Sequence, residues 1–465
     1  MATRSAIDID AFGGINTNHT RKIGQPSAGK NFITQKGVLK SRGGCAEVTA
    51  PTNCGSVKSL HTGSNKDYAR LLLEEGVNLH LRTGEAGSWS AIKTDLDAAK
   101  TLRGTRWQQY LLLANGAWMG SFNIEDAVLA ALGGTPASME HFANWKYRPW
   151  GWGPNYANPH LLRYAGYDAN GVISKDVWPA NYNLNIGGSS VAPVLNAIPY
   201  GTHLLCLSSV GYKRVYGETE ENFEVMEGGD NGVYGVDMSA KVGNVVLWVG
   251  TDKKVYYYSG TQAVDISGEF IDELLAAETF ANAEVFVVGN QFWLTFPNSP
   301  STGKSRAYVF DTVEWAWYIF EFAFIITASI AFQTFLQPKI FYTATSAGKL
   351  IRLDDALSTD LGAIFTTEFT LGPIRIQDRT IKMKSLWLNA EPKNRFSLSL
   401  YGKSDQGEEM LLEPAPLTFE TGTQESKKAK LGKVRGQNVT IKVSTVDKIN
   451  ELQSATVTLV PKAVK

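Results

Sequence analysis

The sequence predicts an all-β chain: a β-propeller of six to seven blades, followed by a small antiparallel, sandwich-like β module. Three observations predict it. Pairs of β-rich runs meeting at short turns recur about eight times between Tyr68 and Asp355, at a spacing of roughly 35–45 residues. Aromatic residues make up 11% of the chain and 44 glycines are present, a mix that favours strands and tight turns. After about Leu361 the texture changes to long alternating runs. The expected organisation is an N-terminal arm with first strands at 1–45, a propeller at 46–360 and a C-terminal β module at 361–465.

Near the chain start, a stretch from Ala11, AFGGINTNHTRKIGQPSAGKNFITQKGVLKSRGG, is rich in glycine and carries the cations Arg21, Lys22, Lys30, Lys36, Lys40 and Arg42. These six are candidate arm contacts. The cations are few among many glycines, which argues against a strong grip on DNA. Gly13-Gly14 permits a sharp turn, and NFITQKGVLK reads as a hairpin that starts or closes the ring.

The clearest hairpin is GNVVLWVGTDKKVYYYSG, from Gly243, where Asp252 and Lys253 separate two β-rich runs. AEVFVVGNQFWLTFPN, SRAYVFDTVEWAWYIFEF and PKIFYTATSAGKLIRLDD repeat the pattern downstream. Upstream it is repeated by YARLLLEEGVNLHLRT, QQYLLLANGAWMGSFN, HLLRYAGYDANGVISKDVW and THLLCLSSVGYKRVYGE. The repetition is of pattern and not of letters, and no WD dipeptide recurs. Stacked antiparallel sheets are the competing architecture.

Two helices are expected. In GEFIDELLAAETFANAE, Phe270, Ile271, Leu274 and Leu275 fall on one face. IEDAVLAALGG, from Ile124, reads as a short helix stopped by Gly133. The apolar run at 316–332 contains Glu321 and is shorter than the ~20 residues of a spanning helix, so it reads as buried strands. No membrane span and no secretory signal are read. Three cysteines, Cys45, Cys54 and Cys206, do not make a disulfide scaffold in a chain of 465 residues, and a reducing cytoplasm is expected.

Charge is balanced at 45 basic and 45 acidic residues. It is not evenly spread: residues 373–465 carry 16 Lys or Arg against 10 Asp or Glu, so the centre is acidic.

Catalytic patterns are sparse. The six histidines form no HxH or HExxH, and Cys45, Cys54 and His61 do not match zinc-ligand spacing. GKS at 303–305 lacks the first glycine of a phosphate loop, and EGGDNGVYGVD lacks the register of a calcium loop. No catalytic residue, metal or cofactor is assigned, and no enzyme is expected. The most unusual local feature is WKYRPWGWGPNY, where Trp145, Tyr147, Trp150, Trp152 and Tyr156 surround Arg148. It reads as a loop: an interface anchor, since Trp, Tyr and Arg dominate binding hot spots, or a blade-edge loop packed on its own propeller.

The opening stretch resembles the N-terminus of the tail nozzle, or packaged-DNA stabilisation, proteins of short-tailed bacteriophages, which have a β-propeller body. The resemblance rests on Phe12, Gly13, Gly14 and Ile15, then Asn31, Phe32, Ile33, Gly37, Leu39, Arg42 and Gly44. The family commonly has a proline after the arginine, where Gly43 stands here. The strand KSLWL at 384–388 and the run at 435–444 are similar too. The resemblance implies a virion structural protein assembled in the host cytoplasm and located in the tail. It implies a ring of subunits, usually six, below the portal and adaptor at the head–tail connection, holding packaged DNA until ejection. Its partners would be copies of itself, portal, adaptor or other tail proteins, and double-stranded DNA in transient, non-specific contact. Two alternatives stay open: a receptor- or glycan-binding tail protein, and a propeller glycosidase, which needs paired carboxylates near one pore end.

Overall fold

A computed structural model describes residues 5–9 and 28–463, apart from 65–66, 135–138, 155–156, 188–191, 301, 333–339, 355, 376–378, 393–394, 405–406, 413–414, 423, 432–434, 437 and 450. The body is a seven-bladed β-propeller. Six blades are four-stranded antiparallel sheets built from consecutive strands, at 57–93, 103–131, 141–185, 194–229, 239–265 and 284–321. The seventh uses Ile326–Phe332, Ile340–Thr345 and Leu350–Asp354, and its fourth strand is Gly44–Val48. The inner strand of each blade packs on the next, and Ile326–Phe332 packs on Val57–Ser64, which closes the circle. Closure by a strand from far upstream leaves the ring without a free seam.

Blade 5 shows why these residues make strands. Val246 pairs with Tyr258 and Trp248 with Tyr256, and Trp248 and Tyr258 are fully buried. Lys253 takes φ 65° at the turn, and Asp252 Oδ1 accepts the Lys254 N–H at 3.2 Å. The helix expected near 268 is present as Gly268–Ala276, with Ile271 and Leu275 buried. The apolar run at 316–332 forms two strands, Ala316–Glu321 and Ile326–Phe332.

Four expectations are corrected. No helix forms at 124–133: Asn123 Oδ1 accepts the N–H groups of Glu125 and Asp126, and Ala127 takes φ 58°, which no helix tolerates. The chain turns there and pairs again as Leu129–Ala131. The run from His160 is not a full hairpin. After Leu161–Tyr164, Asp168 Oδ1 collects the N–H groups of Asn170 and Val172, and the blade's last strand comes only at Asn183–Asn185. The aromatic segment from Trp145 is not a loop: it lies in His141–Trp145 and Arg148–Trp152, the two inner strands of blade 3. The hairpin Phe32–Gln35/Val38–Ser41 does not close the ring, a role taken by Gly44–Val48.

That hairpin, turned by Lys36 (φ 52°) and Gly37 (φ 79°), joins a sandwich with the C-terminal strands. One sheet runs from the hairpin through Leu452–Ala463 and Arg379–Ala390 to Glu425–Lys430. The other runs from Ala28–Lys30 through Thr367–Arg375 and Asn438–Thr445 to Phe396–Ser404. Alternate residues along Phe396–Ser404 and Asn438–Thr445 are buried between the sheets. The sandwich shares one continuous core with blades 4 to 7: Phe32 stands edge-on to Tyr318 of blade 6 at 5.9 Å and near Phe369 of the sandwich at 6.2 Å.

Candidate functional site

The sequence singled out two groups of residues, and the structure places them in two different settings. Of the arm cations, Arg21 and Lys22 lie outside the described residues, as do Phe12, Gly13, Gly14 and Ile15. Arg42 is 3% exposed and is held by the chain itself. Its Nη1 and Nη2 donate to the two carboxylate oxygens of Asp360 at 3.0 and 2.5 Å. Nη1 also donates to the Gly43 carbonyl and Nη2 to the Glu321 carbonyl, both at 2.7 Å, and Nε donates to Asn31 Oδ1 at 3.0 Å. All five donors of the guanidinium are therefore occupied. Its plane sits 4.0 Å from the ring centre of Phe365 and 4.6 Å from that of Phe322.

Asn31 completes the clamp. It takes φ 58°, donates its backbone N–H to Ile319 of blade 6 and its side-chain amide to Thr366, and accepts the Glu321 N–H at 2.8 Å. Asn tolerates this left-handed backbone better than most residues. Lys30 pairs with Glu321 at 2.8 Å, and Glu321 also takes Arg306 at 2.7 Å. Lys36 and Lys40 stay near the hairpin, with the Lys36 N–H donating to Glu314 and the Lys40 ammonium to Gln35. A cavity of about 370 Å³ opens beside the clamp, lined by Ile33, Arg42, Gln291, Trp293, Asp311 and Phe322.

In blade 3, Trp145, Arg148, Trp150 and Trp152 are buried, whereas Tyr147 is 84% exposed at the tip of the turn. Tyr156 lies outside the described residues. Arg148 donates to the Ala165 carbonyl, the Tyr167 hydroxyl and Glu220 Oε2, and packs against the Tyr164, Tyr167 and Phe223 rings. The indoles of Trp150 and Trp152 donate to the carbonyls of Trp145 and Leu195. The cluster is thus the core of the blade, with one aromatic ring left on the surface.

A third site escaped the sequence. The starts of the inner strands converge on the propeller channel, where a cavity of about 350 Å³ is bounded by residues of all seven blades. Arg103 of blade 2 reaches across to Asp237, just ahead of blade 5, with hydrogen bonds of 2.8 and 2.6 Å. Burial opposes the charge on Asp237, but the Arg103 guanidinium holds its carboxyl below the usual range. Glu284 lies nearby; burial, with the Asp237 charge adding to it, pushes its carboxyl up to about 8. Burial and then the Arg103 charge bring His61 down to about 4 and His141 to about 3. The His141 ring stacks on Trp152 at 5.2 Å, while His61 Nε2 meets Ser59 Oγ at 2.9 Å. Ser59 in turn donates to the buried Glu74, which is paired with Lys58. These residues share no local motif. What marks them is position: Arg103, His141 and Glu284 open inner strands, Ser59 and His61 lie within another, and Asp237 just precedes a fifth, a grouping visible only once the blades are aligned.

No cluster of His, Cys, Asp and Glu suited to a metal ion occurs among the described residues. No helix among them is long and apolar enough to cross a membrane. No family model and no curated protein matches the chain. Solved structures resemble it distantly. The crystal structure of a mitotic checkpoint complex aligns at 12% identity and TM-score 0.42, covering 67% of this chain and 94% of that one. BamB from Moraxella catarrhalis aligns at 7% and 0.41, covering 75% and 97%. The structure of BBS1N in complex with ARL6DN aligns at 9% and 0.43, covering 69% and 99%.

Proposed function

We propose that this chain is a structural subunit of a phage tail, forming with copies of itself a nozzle ring that retains packaged DNA until ejection. The observation that supports this most is what the resembling residues do. Asn31, Phe32, Leu39 and Arg42 are all buried and Gly37 turns the hairpin, and together they fasten sandwich to propeller. The segment similar to the nozzle proteins is therefore architectural, as a scaffold protein requires.

In this reading DNA does not thread the propeller. A cavity of about 350 Å³ crossed by the Arg103–Asp237 pair is far too small for a duplex, whose major groove alone is about 12 Å wide. The DNA path would be a lumen bounded by several subunits. Lumen walls drawn from the acidic centre of the chain let a polyanion slide, because tight non-specific binding needs cations that displace counterions. Electron-microscopy class averaging of the purified protein, alone and with virion tails, tests the proposal. Rings with a duplex-wide hole, or density at the distal end of the tail below the portal, are expected. A stable monomer absent from the tail axis overturns it.

One observation favours a second reading. Asp237 and Glu284, a charged and a neutral carboxyl at ordinary pH, meet an arginine at one end of the channel, a pattern that glycosidases use. Against it, Arg103 occupies both oxygens of Asp237. Turnover of chromogenic glycosides would decide for the enzyme.

A further inference from the structure

We infer that a second copy of this chain docks its acidic blade 4 edge onto the lysine-bearing edge of the sandwich. The inference deepens the ring reading and rests on it, because it names the surfaces through which copies would join. It stands on how charge is distributed over two unpaired strand edges.

The chain is neutral in sum but segregated in space. Residues 46–372 carry 22 Lys or Arg against 33 Asp or Glu, whereas residues 373–465 carry 16 against 10. A neutral molecule with separated charge of both signs attracts copies of itself head to tail.

Two exposed edges concentrate this charge. Glu425–Lys430, sequence ESKKAK, ends the larger sandwich sheet and pairs on one side only, with Arg379–Ala390. Lys428 and Lys430 are exposed, Lys427 is partly so, and the Lys428 ammonium lies 4.9 Å over the half-exposed ring of Trp387. Glu224–Gly229 is the outermost strand of blade 4 and likewise pairs on one side only, with Tyr212–Tyr216. It presents Glu224, Met226 and Glu227 to solvent. It lies within a run, 218–230, that holds six carboxylates and no Lys or Arg. Three of these are matched by Lys146, Arg148 and Lys213, the last pair with an 84% exposed Glu227. Among the described residues, Glu221, Glu224 and Asp230 have no ion pair.

On the sandwich edge Glu425 pairs with Lys427 at 3.2 Å, and the edge still carries three lysines to one carboxylate. An edge dominated by one charge repels a copy of itself, which is how sheet edges avoid indiscriminate pairing. The same charge selects an edge of opposite sign, since unlike charges directly across a strand pair attract and like charges repel. Both edges are six residues long, so they can align over their full length. The sandwich sits on blades 6 and 7, and blade 4 lies two to three positions round the propeller, so one copy can use both edges at once. A contact between unlike surfaces propagates from copy to copy and gives a ring where the rotation closes.

Mass photometry of the full chain at low and high salt tests this, with K427E/K428E and E224K/E227K variants checked for folding by circular dichroism. The parent is expected to assemble at low salt and dissociate at high salt. Each variant alone should bind itself at least about tenfold more weakly. An equimolar mixture of the two should reassemble, because every reversed edge then meets its opposite. A parent that assembles equally at all salt concentrations, a variant that assembles like the parent, or a mixture of folded variants that stays monomeric overturns this contact. Rings that persist in both variants leave the nozzle reading standing. A parent monomeric in every condition removes both.

Discussion

Arg42 and Asp360 face one another as a parallel fork, two hydrogen bonds of 3.0 and 2.5 Å between groups that are 3% and 1% exposed. They come from opposite ends of the propeller sequence and meet where the ring-closing strand leaves the hairpin. Asp360 also bridges in parallel to Cys45 of that closing strand. Arg42 therefore links the sandwich hairpin, blade 6 and the ring closure through one side chain. Arg42→Ala would leave a buried carboxylate without its partner and should cost about 3–5 kcal/mol. Arg42→Lys should also destabilise, because an ammonium cannot fill five fixed donor positions. Arg42→Met with Asp360→Leu should recover much of the loss. Urea unfolding midpoints would show this. A loss in Arg42→Ala below about 1 kcal/mol would remove the clamp from the account.

The channel groups set a pH profile with two opposed limbs. His61 and His141 have folded values of about 4 and 3 against an ordinary 6.5. The unfolded chain takes up these protons first as pH falls, so stability is lost from about pH 6.5 downward. Glu284 is raised to about 8 from 4.5, so between those values the folded state holds a proton the unfolded state has released. Its limb runs the other way, and stability falls as pH rises through that window. Two histidines outweigh one carboxyl below pH 6.5 and none opposes it above, so the maximum should lie near pH 6.5. Each fully shifted proton gives a slope of about 1.4 kcal/mol per pH unit. Glu284→Gln should flatten the decline between pH 6.5 and 8 and leave the acid limb in place. Thermal unfolding across pH 4 to 9 would measure both, and an unchanged alkaline limb would show that Glu284 does not set it.

Fold class was legible because blade strands carry it locally. VVLWV and VYYY, separated by Asp252-Lys253, state a hairpin on their own residues. The inner strands were harder to read. Arg103–Trp107 (RGTRW) is short and polar enough to look like a connection; it pairs with Tyr110–Ala114 of its own blade, but its role in the channel depends on inner strands of other blades far away in sequence. The segment at 124–133 had helical composition, yet a side-chain amide and one left-handed alanine overrode it. Arg42 was visible as a cation but not as a buried one, since its anion lies 318 positions away. The Arg103–Asp237 pair was invisible for the same reason, and no spacing rule links position 103 to 237.

Burial separates the members of the aromatic cluster by role. Trp150 is fully buried against Trp145, Tyr164 and Phe223, so Trp150→Ala should cost about 3–5 kcal/mol. Tyr147 contributes its carbonyl to the Trp107 indole, and a substitution to Asn keeps that bond and the left-handed turn. Tyr147→Asn should therefore stay within about 0.5 kcal/mol of the parent. Calorimetric unfolding of the two variants tests the division. If Tyr147→Asn folds normally but alters assembly or glycan binding, its exposed ring is a contact residue and not a structural one.

Association with DNA should be weak despite the basic C-terminal module. Of the described arm cations, Lys30 and Arg42 are already matched by Glu321 and Asp360 within the chain. In the module, Lys442 is matched by Glu409 and Glu368, and burial opposes its charge less than those carboxylates support it. Each cation so neutralised releases no counterion when a phosphate approaches, and the logarithm of the binding constant falls by ~0.9 per phosphate contact for each tenfold rise in salt. A duplex should therefore bind with a dissociation constant no tighter than about 10⁻⁶ M at physiological salt. The salt slope should correspond to only a few contacts. Fluorescence anisotropy of a labelled duplex, titrated across salt concentrations, gives both quantities. A slope near that of a protein with six to ten phosphate contacts would place DNA on the lysine-bearing sandwich face and turn the nozzle argument round, because a wall that holds DNA this firmly does not let it slide.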